Sequence, residues 1–208
     1  MPESESQSSA ETGQPSPIAA PQPSTVQQTA ENRLPGDLTR EQLIERLIRV
    51  DHAGEFGARR IYEGQLSVLK NHPEAGIIRH MHEQELAHLK TFEKMLVARR
   101  VRPSALHPVW NVAGFMLGAA TAMMGPKAAM ACTVAVEEVI DEHYRQQQAQ
   151  LGEDEAELKS TIERFRAEEV EHRDIGIQRG AEEATAYPVL TGAIKAGSRL
   201  AIWLAERI

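Results

Sequence analysis

Two glutamate–histidine pairs constrain this chain more than any other feature. Glu85 with His88, and Glu169 with His172, are each three residues apart. On a helix that spacing puts both side chains on one face, about one turn apart, so both reach one point in space. Each pair interrupts an apolar stripe. Ile78, Met81, Phe92 and Met95 continue the first at a/d spacing; Ile162 and Phe165 precede the second, and Gly176 follows it. Ionisable groups on a core stripe are costly to bury unless something compensates, and a divalent cation does so.

The pairs alone are weak evidence. With 25 Glu and 8 His in 208 residues, about one such pair arises by chance. What precedes them is more telling. Glu55 stands 30 residues before Glu85, and Glu137 stands 32 residues before Glu169. The chain therefore reads Glu, Glu-x-x-His, Glu, Glu-x-x-His, one element per expected helix. That is the ligand set of ferritin-like di-iron and di-manganese bundles.

Such carboxylate-rich sites with one imidazole per ion suit iron, with manganese as the alternative. In the expected arrangement Glu85 and Glu169 bridge two ions. Glu55 and His88 complete one, and Glu137 and His172 complete the other. Four carboxylates then balance two Fe(II). Glu137 is preferred to Glu138 because it keeps heptad register with Met130 and Tyr144. Asp51 and Asp141 are placed to orient the histidines. Tyr144, His143 and His52 are candidates to line a substrate pocket, with ordinary core or surface packing as the competing reading.

Composition supports an all-α fold. Aromatics are only 4% and charged residues 25%; Ala, Leu, Ile, Met, Glu and Arg dominate the middle, and alternating β-branched runs are missing. The net charge of −7 gives no global reason to expect nucleic acid. Cys132 is the only cysteine, which excludes a disulfide framework or a four-cysteine metal site. Residues 1–36 are rich in Ser, Pro, Gln, Glu and Ala and are expected to be disordered. They resemble neither a secretory signal nor a transit peptide. Residues 37–208 suit one domain.

A capping box of Thr39 and Gln42 opens the first expected helix, which runs to about Lys70. Within it Gly54 and Gly57 flank Glu55. Glycine inside a helix costs about 1 kcal/mol against alanine, so the pair signals either close helix approach or space for a substrate. The second helix is expected from Pro73, at its first position, to Arg100. The third bundle helix runs from Pro126 to Leu151. The fourth opens at Asp154 and extends to about Glu183. A last helix starts at Tyr187-Pro188. Between residues 109 and 136 the only charge is Lys127. The part before Gly125-Pro126 is short for a membrane span, which needs about 20 residues. It is read as an apolar helix or hairpin lying in one leaflet, anchored by Trp110 and the arginines near 99–102. The competing reading is a core helix of a soluble bundle.

Four blocks, RVDHAGEFGARRIYEGQ (49–65), HEQELAHLKTFE (82–93), ACTVAVEEVIDEHY (131–144) and FRAEEVEHRDIG (165–176), resemble the 5-demethoxyubiquinone hydroxylase family over about residues 38–208. The resemblance implies a ferritin-like four-helix bundle with a hydrophobic membrane-facing segment and an extra C-terminal helix. It implies two Fe ions held by Glu55, Glu85, His88, Glu137, Glu169 and His172. The implied reaction is O2-dependent hydroxylation of the ring of a 2-polyprenyl-3-methyl-6-methoxy-1,4-benzoquinol, a late step of ubiquinone biosynthesis. It further implies a peripheral membrane protein, which with the reading of residues 1–36 is expected on the cytoplasmic side of a bacterial-type cell membrane. Ubiquinone-biosynthesis proteins or further copies of this chain are its expected partners. Two competing functions are a soluble ferritin-like ferroxidase or peroxidase, and a membrane-associated scaffold without chemistry.

Overall fold

The computed structural model describes residue 34 and residues 36–208. The expected disordered tail therefore lies almost wholly outside the described residues. Six α-helices follow in order: α1 (Arg40–Leu69), α2 (Ala75–Arg99), α3 (His107–Met123), α4 (Pro126–Gln150), α5 (Ala156–Gln178) and α6 (Tyr187–Ala205). No strand occurs among the described residues. The all-α, ferritin-like reading holds.

The chain runs twice through the same set of parts. α1 pairs with α2, and α4 pairs with α5; these two hairpins make the four-helix bundle. Each is followed by an apolar helix that packs back on the first helix of its hairpin, α3 on α1 and α6 on α4. The a/d ladders read from the sequence are the bundle core: Ile48, Tyr62, Ile78, Met81, Phe92 and Ile162 are all buried. Burial of each such side chain stabilises by about 1.5–3 kcal/mol. One apolar cluster, including Tyr62, Met81 and Met130, closes one end of the bundle. Another, including Ile48, Phe92, Tyr144 and Phe165, closes the other.

Helix ends differ from expectation in instructive ways. Thr39 caps α1 as expected, accepting from the Gln42 amide while the Gln42 side chain bonds back. Pro73 lies in the turn before α2, whose first residue is Ala75. Asp154 does not cap α5. Its carboxylate accepts from Nε and Nη2 of Arg40, each at 3.0 Å, tying the α4–α5 connection to α1. α5 ends at Gln178, short of the expected Glu183, because Gly180 turns left-handed at φ +82 and a short 3-10 turn follows.

The apolar run 109–136 divides between two environments. Residues 128–136 lie in the bundle core, so this half is not lipid-facing. α3 instead lies outside the bundle, on α1. The contact is unusually close: a Cβ on Gly118 would fall 1.9 Å from the Ile61 carbonyl, and one on Gly64 2.2 Å from the Phe115 carbonyl. Gly114-x-x-x-Gly118 and Gly64 thus let two backbones touch. No helix among the described residues is long and apolar enough to cross a membrane.

Candidate metal centre

α1, α2, α4 and α5 each direct their interrupted a/d positions to one level of the bundle. Glu55, Glu85, His88, Glu137, Glu169 and His172 are all nearly inaccessible to solvent there. Their donor atoms fall into two groups: Glu55, Glu85, His88 and Glu169, and Glu85, Glu137, Glu169 and His172. Within each group the atoms lie within 4.8 Å of one another. Glu85 and Glu169 belong to both groups, the positions expected for bridges.

The histidines present matching atoms. His88 Nδ1 lies 3.0 Å from Glu169 Oε1 and 3.4 Å from Glu55 Oε2. His172 Nδ1 lies 3.2 Å from both Glu85 Oε1 and Glu169 Oε2. The far nitrogens donate outward, His88 Nε2 to Glu168 at 2.7 Å and His172 Nε2 to Gln84 at 3.0 Å. With Nε2 carrying the hydrogen, each Nδ1 is left to face the carboxylates.

The donor set fits a cation pair. Glu55 Oε2, both Glu85 oxygens, Glu137 Oε2, Glu169 Oε1 and His88 Nδ1 are buried without a hydrogen-bond partner. Buried polar atoms are otherwise almost always satisfied. Protons stand in for metal charge here. Burial, with Glu169 and Glu55 nearby, holds the Glu85 carboxyl well above the usual range. Burial, with Glu169 and Glu85, does the same for Glu137. Burial opposes charge on Glu169 and His88, but their mutual contact outweighs it. Glu169, facing His172 and His88, is pushed down to about 2; His88, facing Glu169 and Glu55, is pushed up to about 12.

The surroundings of the site differ from expectation at the groups that back the histidines. Neither Asp51 nor Asp141 orients His88 or His172, against expectation. Asp51 accepts from Gln147 at 2.6 Å and faces His143, while Asp141 is held by Arg166 at 2.7 Å and by Arg145. Glu168 and Gln84 do that work. They were missed because each sits beside a ligand in sequence but acts on the opposite helix. Tyr144 and His143 do not line the described cavity. Tyr144 donates to Glu55, and His143 joins the Asp51–Gln147 cluster. His52 stacks on His107, with ring centroids 4.8 Å apart. Glu138 points away and pairs with Lys195 of α6, as the register of Glu137 requires.

A cavity of about 340 Å³ lies between α1, α3, α4 and α6. Its α1 wall includes Gly54, Gly57 and Ala58, and its α4 wall Val136, Val139 and Ile140. These are the residues one before, two after and three after Glu55 and Glu137. A Cβ on Gly54 or Gly57 would meet nothing within 4 Å, so these glycines provide space, not close helix approach. Trp110 faces this cavity too, and its indole N–H is buried without a partner.

Comparison with known proteins points to one family. The model of the family described as "Ubiquinone biosynthesis protein COQ7" matches residues 42–205. A 3-demethoxyubiquinol 3-hydroxylase of Rhodospirillum rubrum is 59% identical over 181 residues, covering 86% of this chain and 85% of that protein. The human mitochondrial NADPH-dependent 3-demethoxyubiquinone 3-hydroxylase is 52% identical over 169 residues, covering 79% of this chain and 78% of that one. The mitochondrial 5-demethoxyubiquinone hydroxylase of Saccharomyces cerevisiae is 43% identical over 182 residues, covering 79% and 78%. The chain belongs to the COQ7 family of ubiquinone biosynthesis proteins.

Proposed function

We propose that this chain is a di-iron monooxygenase that hydroxylates the ring of a 2-polyprenyl-3-methyl-6-methoxy-1,4-benzoquinol. One observation carries the reading. Two four-donor groups share Glu85 and Glu169, and an apolar cavity is walled by the chain neighbours of the two unshared glutamates, Glu55 and Glu137. The names of the relatives supply the substrate class. Bound by the six residues, two iron ions would supply reductive activation of O2, one atom entering the ring and the other leaving as water with two electrons and two protons.

The protein's own groups do the rest. The cavity is of a size suited to a ring and the start of a prenyl tail. Its lining is almost wholly apolar; Ser198 and the Trp110 indole are the side chains that offer a hydrogen bond to a quinol oxygen. Gly54 and Gly57 leave room beside Glu55. Tyr62 and Tyr144 steer Glu137 and Glu55 by donating to them.

We further infer a peripheral membrane protein, on the cytoplasmic side of a bacterial-type cell membrane, from its exposed apolar helices. α3 exposes Val109, Val112, Met116 and Met123, and α6 exposes Val189, Leu200 and Trp203. The same two helices wall the cavity. Apolar surface of this kind beside a cavity suits delivery of a lipid-soluble substrate. A ferroxidase or peroxidase has no use for either feature.

The test is in vitro. Protein loaded with Fe(II), given a short-tailed demethoxyquinol, a reductant and 18O2, is expected to yield a product carrying one 18O atom. Product oxygen drawn from water, or no product from iron-loaded protein, contradicts the assignment.

A further inference from the structure

The two halves of the site correspond down to the groups that back the histidines. Gln84 immediately precedes Glu85 on α2, and its Oε1 accepts from His172 Nε2 on α5 at 3.0 Å. Glu168 immediately precedes Glu169 on α5, and its Oε2 accepts from His88 Nε2 on α2 at 2.7 Å. Each hairpin thus uses the residue before its shared glutamate to hold the other hairpin's imidazole. The tyrosines obey the same reciprocity, with the same residue type on both sides. Among side chains bonded to the six from outside, Gln84 and Glu168 are the matched pair that differs in charge type.

That difference has a chemical consequence. A carboxylate acceptor forms a charge-assisted bond and polarises the imidazole more than a neutral amide does. The polarisation raises the basicity of Nδ1, the nitrogen turned toward the carboxylates. The shorter of the two bonds is the one to Glu168. Glu168 also places an acidic group behind the Glu55/His88 donor group, where the Glu137/His172 group has only an amide.

We infer that Glu168 and Gln84 are positioning residues that make the two metal positions unequal, with the Glu55/His88 position the tighter. The inference rests on reading the six residues as a metal centre. It concerns how that centre is tuned, which neither the fold nor the ligand set dictates.

Full-length metal-free protein, titrated anaerobically with Fe(II) in a calorimeter, tests it. Wild type, Glu168→Gln, Gln84→Glu and the double exchange are compared. Two dications repel one another, so successive steps differ in any paired site. The informative quantity is how each step moves. Glu168→Gln is expected to weaken the first step by about 10- to 100-fold. Gln84→Glu is expected to tighten the second step, a gain that misfolding does not produce. The double exchange is expected to restore the separation between steps. Two ions still binding, with every step in both single variants within about twofold of wild type, overturns the inference and leaves the metal centre standing. A wild-type chain that binds no Fe(II) overturns both.

Discussion

The hydroxyl of Tyr62 on α1 donates to Glu137 Oε1 on α4 at 2.9 Å. The reverse bond runs from Tyr144 on α4 to Glu55 on α1. Each tyrosine lies seven residues after the unshared glutamate of its own helix, so it keeps that glutamate's face two turns on and meets the glutamate of the other helix. The bonds stitch the two hairpins across the site. Tyr62→Phe leaves a buried Glu137 oxygen without a donor. It is expected to destabilise the metal-free protein by about 1–3 kcal/mol, read by urea unfolding, while two ions still bind. An unchanged unfolding midpoint would mean that the tyrosine holds nothing in place.

The glycines divide into two kinds, and substitution separates them. Gly57 faces open cavity. Gly57→Ala is expected to be neutral or to stabilise by up to about 1 kcal/mol through helix propensity. Gly57→Leu fills the cavity, and is expected to abolish hydroxylation while metal content stays at the wild-type level. Gly118 is different, because a Cβ there strikes the Ile61 carbonyl at 1.9 Å. Gly118→Ala is expected to lower stability by about 1–3 kcal/mol, measured as a fall in melting temperature.

Metal uptake is expected to release protons. In the metal-free site, burial together with neighbouring glutamates holds Glu85 and Glu137 in their protonated forms. Glu169 and Glu55 outweigh burial at His88 and keep its proton up to about 12. Ligation requires these protons to leave. Calorimetry in buffers of different ionisation heat is expected to show more than one proton released per metal pair. Apparent affinity is expected to fall from about pH 8 to about pH 6. Uptake without proton release would contradict the protonation pattern.

Much of this site was legible because its ligands replace hydrophobes on ladders that had to be buried. Glu55 between Ile48 and Tyr62 has nowhere to point but inward. The groups behind the histidines were not legible. Asp51 and Asp141 had the right offsets along their own helices, but Gln84 and Glu168 reach the imidazoles across the α2–α5 gap. That reach depends on how the helices are rotated and spaced, which no heptad records. The division of 109–136 was half legible. Gly125-Pro126 marks the break, but assigning residues 128–136 to the core requires α4 to pair with α5. Gly114-x-x-x-Gly118 was present as a signal for close packing and went unread.

His52 supplies a second pH prediction, outside the six residues of the candidate metal centre. Burial, with His107 stacked on it, pushes His52 down to about 4. Burial also lowers His107, helped by Arg59 and opposed by Glu93. A folded-state value below the unfolded one of about 6.5 means that stability is fully present above about pH 6.5. It is lost as pH falls toward about 4, because the unfolded chain binds the proton more readily. His52→Gln is expected to flatten that part of the stability curve relative to wild type, measured by urea unfolding of metal-free protein. Parallel curves for the two proteins would assign the acid sensitivity elsewhere.

The most direct measurement is the quinone content of cells lacking this protein, complemented with wild type or with Glu169→Ala. The account predicts that the deletion accumulates the demethoxy quinone, and that wild type restores ubiquinone while Glu169→Ala, which lacks a shared donor of both groups, does not. An unchanged quinone pool in the deletion, or full restoration by Glu169→Ala, would contradict it.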